Sequence, residues 1–297
     1  MISSTIALPF SLVVTNYKNW DLTLQCIDKH LALENLAEII IVDDCSDLPF
    51  PSISDPRIKI VKNEKNLGFV KSVNVGIRHA TSEIVLLFDS DAYPLEGYSS
   101  VVSDRFEKNP KLAALGFVTY DEAGNQTASY ETEPGVMSII LGQAIYFKLH
   151  NPNRYAATNL VVYSCAVALR KKAFLLDGGF DENIDWMDPD VDKCISLRRQ
   201  GWKIDADHRL KAFHKGGAVP QLTSQRVIRQ YKSRWYVLSK HGKIPMKPLS
   251  RAILLGRLYF EYLFLRMFAP RLYPPEIAQD KIKGRKELIN NSRTYFS

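Results

Sequence analysis

The run IVLLFDSDAYPLEGY (Ile84–Tyr98) decides how the rest of the chain is read. Five apolar residues of strand type lead into two carboxylates one residue apart, Asp89 and Asp91, followed by a turn and Pro94. Like charges so close at the end of a buried strand cost energy unless a positive group offsets them. Upstream lie three more strand patterns, SLVVT (Ser11–Thr15), EIIIVDD (Glu38–Asp44) and RIKIVKN (Arg57–Asn63). Between them, NWDLTLQCIDKHLAL places Leu22, Cys26, Ile27 and Leu31 on one helical face, and GFVKSVNVGIRHA reads as a second helix. Strands alternating with helices predict an α/β fold with a mainly parallel sheet covered on both faces. Such sheets bind ligands at the carboxyl ends of their strands. Asp43, Asp44, Asn63, Asn66, Asp89 and Asp91 all fall there.

Composition sets the bounds. The chain has 297 residues, 46% hydrophobic and 24% charged, which suits a globular protein with a large core. A net charge of +7 suggests an anionic partner. No nucleic-acid recognition motif accompanies that charge. Cys26, Cys45, Cys165 and Cys194 show no metal-ligand spacing and read as reduced structural thiols. The N-terminus lacks a basic region before its apolar stretch, so no secretory leader is expected. No run of about 18 uncharged apolar residues is present, so no membrane-spanning helix is expected. The expected location is cytoplasmic.

Further along, LAALGFVTY (Leu112–Tyr120) reads as a strand, Gly124-Asn125 as a hairpin tip, and NLVVYSCAVALR (Asn159–Arg170) as one strand. A short helix, a glycine turn, an acidic loop, a helix and a strand follow through Asp205. The last third is helical and basic.

IVDDCSD, NLGFVKSVNVG, LLFDSDAYP, GGFDE and DPDVDKCISLRRQGW occur in the order seen in family 2 glycosyltransferases. The chain resembles that family, and most of all its rhamnosyltransferase-like branch, from about Leu12 to His214. The resemblance implies a GT-A fold, a mixed, mainly parallel sheet flanked by helices, over residues 1–220. Residues 221–297 would then form a helical, basic C-terminal extension. Asp89-Ser90-Asp91 resembles the family's DxD motif. The resemblance implies that Asp91 ligates Mg²⁺ or Mn²⁺, with Asp89 near the ribose or a metal-bound water. Hard cations of this kind take carboxylate and phosphate oxygens, and such a cation would offset the paired acids. His214, in FHKGG, matches the family's H-x-x-G histidine at the metal or diphosphate.

On the donor side the same resemblance points to Thr15, Asp43, Asn66, Gly68 and Asp89. Asp43 is the acid expected by the base, whereas Asp44 and Ser46 suit capping or turn formation. Asn16-Tyr17 reverses the family's order, which weakens a side-chain role for Asn16. Asn74 and Gly76 serve packing or binding. On the acceptor side, Gly179 of GGFDE and Trp186 are implied. Inverting transfer needs a carboxylate to take the acceptor proton. The family's Glu-Asp pair reads Pro189-Asp190 here, so Asp190 aligns with the base and Asp188 is its rival or a helix cap.

Arg234-Trp235 resembles part of a processive-synthase motif, but Gln230 stands one residue too early. A processive synthase is thus not expected, and Arg234 either faces the diphosphate or, the preferred reading, belongs to a solvated helix face. Arg251, Arg257, Glu261 and Arg266 are spaced as if on one side of a helix. That pattern suits a membrane surface, a partner or the protein's own core, and Lys281, Lys283 and Lys286 favour anionic lipid.

The expectation is a metal-dependent, inverting glycosyltransferase using a UDP- or dTDP-sugar. Its acceptor would be a glycan or lipid-linked saccharide in cell-surface polysaccharide assembly, met at the inner face of the plasma membrane. The alternatives are an inactive nucleotide-sugar-binding or scaffolding protein, which Pro189 favours, and a nucleotidyltransferase.

Overall fold

The computed structural model describes residues 8–33, 35–47, 50–51, 54–95, 97–149, 158–216 and 222–297. The expected boundary at 220/221 and the residues before Leu8 lie outside these. Two compact units emerge. The first comprises Met1–Glu133, Pro152–Asn183 and Pro189–Ala218, the second Pro134–Asn151, Ile184–Asp188 and Val219–Ser297.

The first unit carries strands β1 (Phe10–Asn16), β2 (Leu36–Asp43), β3 (Ile58–Lys62), β4 (Ile84–Asp89), β5 (Ala92–Pro94), β6 (Leu112–Tyr120), β7 (Tyr130–Thr132), β8 (Leu160–Val162), β9 (Ala166–Arg170) and β10 (Lys203–His214). Its helices are α1 (Trp20–Leu31), α2 (Phe69–His79), α3 (Ser99–Lys108), α6 (Lys171–Phe174) and α7 (Pro189–Arg199). Helices α4 (Met137–Ile140), α5 (Gln143–Leu149), α8 (Thr223–Lys240), α9 (Lys247–Leu272), α10 (Pro275–Asn290) and α11 (Ser292–Tyr295) belong to the second unit.

Eight strands form one sheet in the order β3-β2-β1-β4-β9-β6-β10-β5. The first four are mutually parallel, β9 runs antiparallel to both its neighbours, and β5 runs antiparallel to β10. The mainly parallel expectation holds, with these antiparallel insertions. Alternate residues bury on opposite faces because successive side chains of a strand point apart. Leu12, Val14, Ile39, Ile41, Leu86 and Phe88 pack into a cluster with Cys26 and Ile27 of α1. On the opposite face α2 approaches so closely that a Cβ at Gly76 would lie 2.5 Å from Val13 Cγ1. Gly76 is thus a packing glycine. The buried face of α1 is Thr23, Cys26, Ile27 and His30, rotated from the expected one, with Leu22 and Leu31 only half-buried. His30 fills the space because its ring meets Phe88 and Tyr98 edge-on, and burial lowers its pKa to about 4.

The expected strand Asn159–Arg170 is two strands, β8 and β9, separated by a turn at 163–165. That break matters for the site below. The expected hairpin tip at Gly124 is present: Gly124 has φ +77°, and its N–H donates to Asp121 O at 3.0 Å.

A buried acid ties β2 to its neighbours. Glu38 Oε1 accepts from Ser11 Oγ, Thr81 N and Thr81 Oγ1, each at 2.6 Å, and Oε2 meets Lys59 Nζ at 2.6 Å. Burial pushes the Glu38 carboxyl up, but these partners outweigh it and hold the pKa at about 2, from an ordinary 4.5. A depressed carboxylate contributes stability above its unfolded pKa and loses it as pH falls through the folded one. Glu38→Gln is therefore expected to cost about 1–3 kcal/mol at pH 7. The gap to wild type should narrow steadily between pH 4.5 and pH 2 in urea denaturation.

In the second unit, Ile139, Tyr231, Trp235, Leu238, Leu254, Leu258, Leu288 and Phe296 form the core. One expectation is corrected here. Arg234 is not on a solvated face but buried, 9% exposed, because α8 packs its Arg-Trp pair inward. In α9, Arg251, Arg257 and Glu261 are half-buried and Arg266 is exposed. Arg257 and Glu261 are paired with each other, while Tyr259, Phe260, Leu263, Phe264 and Met267 are exposed. A helix apolar on nearly all sides gives no sequence signal for which side faces in. Among the described residues no helix is long and apolar enough to cross a membrane.

Candidate active site

The strand ends of the first unit converge. Thr15 is in register with Asp89 of β4, and Asn16 with Asp43 of β2, so three neighbouring strands end together. Asp91 occupies the turn between β4 and β5, its carbonyl accepting from Lys215 N at 3.1 Å. Because β10 pairs with β5 through His214 and Ala92, the imidazole comes back over the two acids. His214 Nε2 lies 3.5 Å from Asp91 Oδ1 and 3.8 Å from Asp89 Oδ2. One ligand atom from each of the three residues lies within 4.8 Å of the others.

The electrostatics explain why such acids tolerate burial. Burial raises the Asp89 carboxyl to about 6, His214 opposes that rise, and Asp91 adds to it. Burial works to lower the His214 pKa, but Asp91, Cys165 and Asp89 outweigh it and hold it well above its ordinary value. A cationic His214 is the positive group that Asp89 and Asp91 need in this structure. Two carboxylates and an imidazole within reach of one point also suit a divalent cation, with neutral His214 then a ligand. The donor set fits Mg²⁺ or Mn²⁺.

Adjacent acids have separate tasks. Asp44 Oδ1 accepts from Leu67 N at 2.7 Å and Asn63 Nδ2 at 2.9 Å, and Oδ2 accepts from Gly68 N at 2.8 Å. It thereby anchors the loop that opens α2, where Gly68 has φ +83°. Ser46 Oγ accepts from Lys18 N at 2.9 Å. Capping or turn formation is expected of Asp44 and Ser46; their bonds are instead long-range braces between loops, and α2 has no side-chain cap. Asp43 is buried and oriented by Asn16, whose Nδ2 donates to Oδ1 at 3.1 Å while its Oδ1 accepts from Thr23 Oγ1. Asn16 is thus a brace, and Asn66 is exposed on the loop.

Asp190 stands in the first turn of α7, and its Oδ2 accepts from Ser164 N at 3.1 Å. The next residue, Cys165, receives Asp89 N on its carbonyl at 3.0 Å, and its thiol is electrostatically coupled to His214. Burial pushes that thiol's pKa up. The β8–β9 turn therefore ties Asp190 to the Asp89–Asp91–His214 cluster. Sequence reading missed Ser164 and Cys165 by running one strand through them; Tyr163-Ser164, polar within an apolar run, was the available signal.

Asp188 and Trp186 belong to the second unit. Asp188 has φ +66°, and both its oxygens are held by Arg234, from Nε at 2.6 Å and Nη2 at 2.8 Å. Pro189 begins α7, but the Asp188 carboxylate is committed to the guanidinium. Trp186 is half-buried two residues before it, next to Asp185, which pairs with Arg229 at 2.9 Å.

The GGFDE turn is clamped by Asn74. Its Oδ1 accepts from Phe180 N at 2.8 Å, and its Nδ2 donates to Phe180 O at 2.9 Å and Glu182 Oε1 at 3.2 Å. Gly178 and Gly179 have φ of +94° and +104°. A Cβ on Gly179 would lie 2.4 Å from Asn74 Oδ1, whereas one on Gly178 meets nothing within 4 Å. Both alanine variants incur backbone strain of about 1–3 kcal/mol. Gly179→Ala must also break the clamp, so its melting temperature is expected to fall well below that of Gly178→Ala.

A mixed sheet with acids gathered at its parallel strand ends is the architecture of the GT-A fold. Residues 11–175 match glycosyl transferase family 2, and the chain belongs to that family. A pre-mycofactocin glycosyltransferase of Mycobacterium tuberculosis is 29% identical over 203 residues, 61% of this chain and 42% of that protein. An uncharacterized glycosyltransferase of Haemophilus influenzae is 30% identical over 184 residues, 60% of this chain and 58% of the relative. The chain thus spans about half the length of these curated relatives. Among solved structures, the mannosyltransferase PcManGT from Pyrobaculum calidifontis, in complex with GDP-Man and Mn²⁺, superposes with a TM-score of 0.60 at 16% identity. The match covers 97% of this chain and 89% of that one. S. aureus TarS gives 0.51 at 15% identity over 97% and 88%. Both likenesses are of fold.

Proposed function

We propose that this protein transfers a sugar from a nucleotide-diphosphate donor to an acceptor hydroxyl with inversion at the anomeric carbon. The observation that carries the reading is the 164–165 turn, which joins a carboxylate, Asp190, to the acid–imidazole cluster. Asp190 takes the proton of the acceptor hydroxyl as that oxygen attacks the anomeric carbon. The bond from that carbon to the diphosphate oxygen breaks in the same step, and the nucleoside diphosphate leaves with the electron pair. Asp89, Asp91 and His214 would hold the divalent cation, which when bound neutralises the charge of the departing diphosphate. Asp43, kept in place by Asn16, and Thr15 receive the base and ribose, and the Gly68 loop the adjoining backbone. Gly179 sits on the acceptor side.

The rhamnosyltransferase-like motifs favour a UDP- or dTDP-linked donor. The complexes of PcManGT with GDP-Man and Mn²⁺ and of GalNAc-T7 with UDP, GalNAc and Mn²⁺ support a cation shared with the nucleotide. A glycan or lipid-linked saccharide in cell-surface polysaccharide assembly is the acceptor class. The four free thiols suit a cytoplasmic setting, and the outward apolar side of α9 suits contact with the inner face of the plasma membrane. Screening UDP- and dTDP-sugars with an acceptor panel in Mn²⁺, with the product's anomeric configuration read by NMR, tests the reading. An inverted glycoside supports it; donor binding without turnover on any acceptor would assign the protein to binding alone.

A further inference from the structure

The second unit contains a cavity of about 380 Å³ between its helices, lined by Arg234, Arg257, Arg285, Glu261, Gln230 and Ile145 among others. Three guanidinium groups and a single carboxylate share its wall. Arg234 is matched by Asp188 outside the cavity. Arg257 and Arg285 divide one acid between them: Arg257 Nη2 pairs with Glu261 Oε1, and Arg285 Nε lies 3.2 Å from Oε2. Among the described residues, that sharing leaves one positive charge uncompensated. Arg285 Nη1 is buried and has no hydrogen-bond partner among the described residues. A buried guanidinium N–H with nothing to bond is costly, and burial is tolerated when a ligand oxygen completes the set.

The backbone is shaped around the same charges. Arg257 Nη1 donates to Ile139 O at 2.7 Å, and its guanidinium lies against Gly142, where φ is +75°. A Cβ there would sit 2.3 Å from Arg257 Nη2, so any larger residue would push the guanidinium aside as well as strain the backbone. An apolar strip adjoins the cavity. Ile145, 54% exposed, is part of its lining. Phe260 and Phe264 follow Arg257 and Glu261 by three residues on α9, which makes them neighbours along the helix surface. They are 70% and 45% exposed.

We infer that this cavity binds a phosphate or diphosphate group, with the apolar strip receiving a hydrocarbon chain when the phosphate is borne by a lipid. Guanidinium forks suit phosphate oxygens because they donate two parallel bonds at once. The site is argued from the second unit alone and does not depend on the transfer reaction.

Calorimetry of the full chain in EDTA, with no nucleotide present, tests it with inorganic diphosphate and with farnesyl diphosphate as probes. Both are expected to bind, farnesyl diphosphate at least tenfold more tightly. Arg285→Gln should weaken both at least tenfold, while Arg285→Lys, which keeps the charge, weakens them less. Circular dichroism of each variant reports whether the helices persist. Equal affinity for the two probes upholds the anion site and assigns it to free phosphate. Failure of either probe to bind the wild type, or undiminished binding to a helical Arg285→Gln protein, overturns the inference. Because metal and donor are absent, neither result bears on Asp190 or Asp91.

Discussion

Asp190→Asn is expected to slow sugar transfer by about 10²–10⁴-fold, the usual contribution of a positioned general base, while leaving donor affinity unchanged. The amide oxygen of asparagine can still accept from Ser164 N, so the turn and its tie to Asp89 survive. What disappears is the ability to take a proton. Steady-state transfer assays paired with donor calorimetry separate these two properties. Asp188→Asn provides the contrast. It removes the charge that faces a buried guanidinium, and breaking a buried pair in this way costs about 3–5 kcal/mol. Its effect should therefore appear first as a lowered melting temperature. Should Asp190→Asn turn over normally while a still-folded Asp188→Asn does not, the two assignments would have to be exchanged.

The second large effect is expected from Asp91→Ala. Asp91 supplies the oxygen nearest His214 and is the most buried of the three clustered groups. Without it, two donors remain where three now converge. A ligand that binds only the folded protein raises stability by about 2.7 kcal/mol at one hundred times its dissociation constant. Wild type is expected to show such a gain with nucleotide and Mn²⁺ together, and much less with nucleotide alone. Asp91→Ala should lose the Mn²⁺-dependent part. Transfer should fall at least as far as in Asp190→Asn, because both the position of the donor and the charge of its leaving group depend on this cluster.

Much of this arrangement was legible in the chain itself. β-branched runs ending in acids at Asp43 and Asp89 fixed the strands, and parallel pairing then brought those ends side by side, since register follows from which faces are buried. Asp89, Asp91 and His214, the last 123 residues beyond Asp91, met because β10 returns to pair with β5. Proximity of that kind depends on topology and has no local signal; only the family resemblance pointed to it. The separate tasks of Asp43 and Asp44 had no local signal beyond the family resemblance, because Asp44 lies just past the end of β2 and its partners are loop amides more than twenty residues away. Ser164 and Cys165 were lost because Leu160–Arg170 looks like one apolar strand, and the turn within it is set by its partners. The orientation of α9 was equally hidden, since its outward and inward sides are both apolar and only tertiary packing chose between them. Arg234 looked solvated because a sequence cannot show that Asp188, 46 residues earlier, waits in left-handed conformation to pair with it.

Diffraction from crystals soaked with UDP and MnCl₂, with data collected at the manganese absorption edge, tests the central claim most directly. The account predicts an anomalous peak shared by the nucleotide diphosphate, Asp91 and His214, beside Asp89. A nucleotide that settles elsewhere in the first unit, with no manganese between these three side chains, would contradict it.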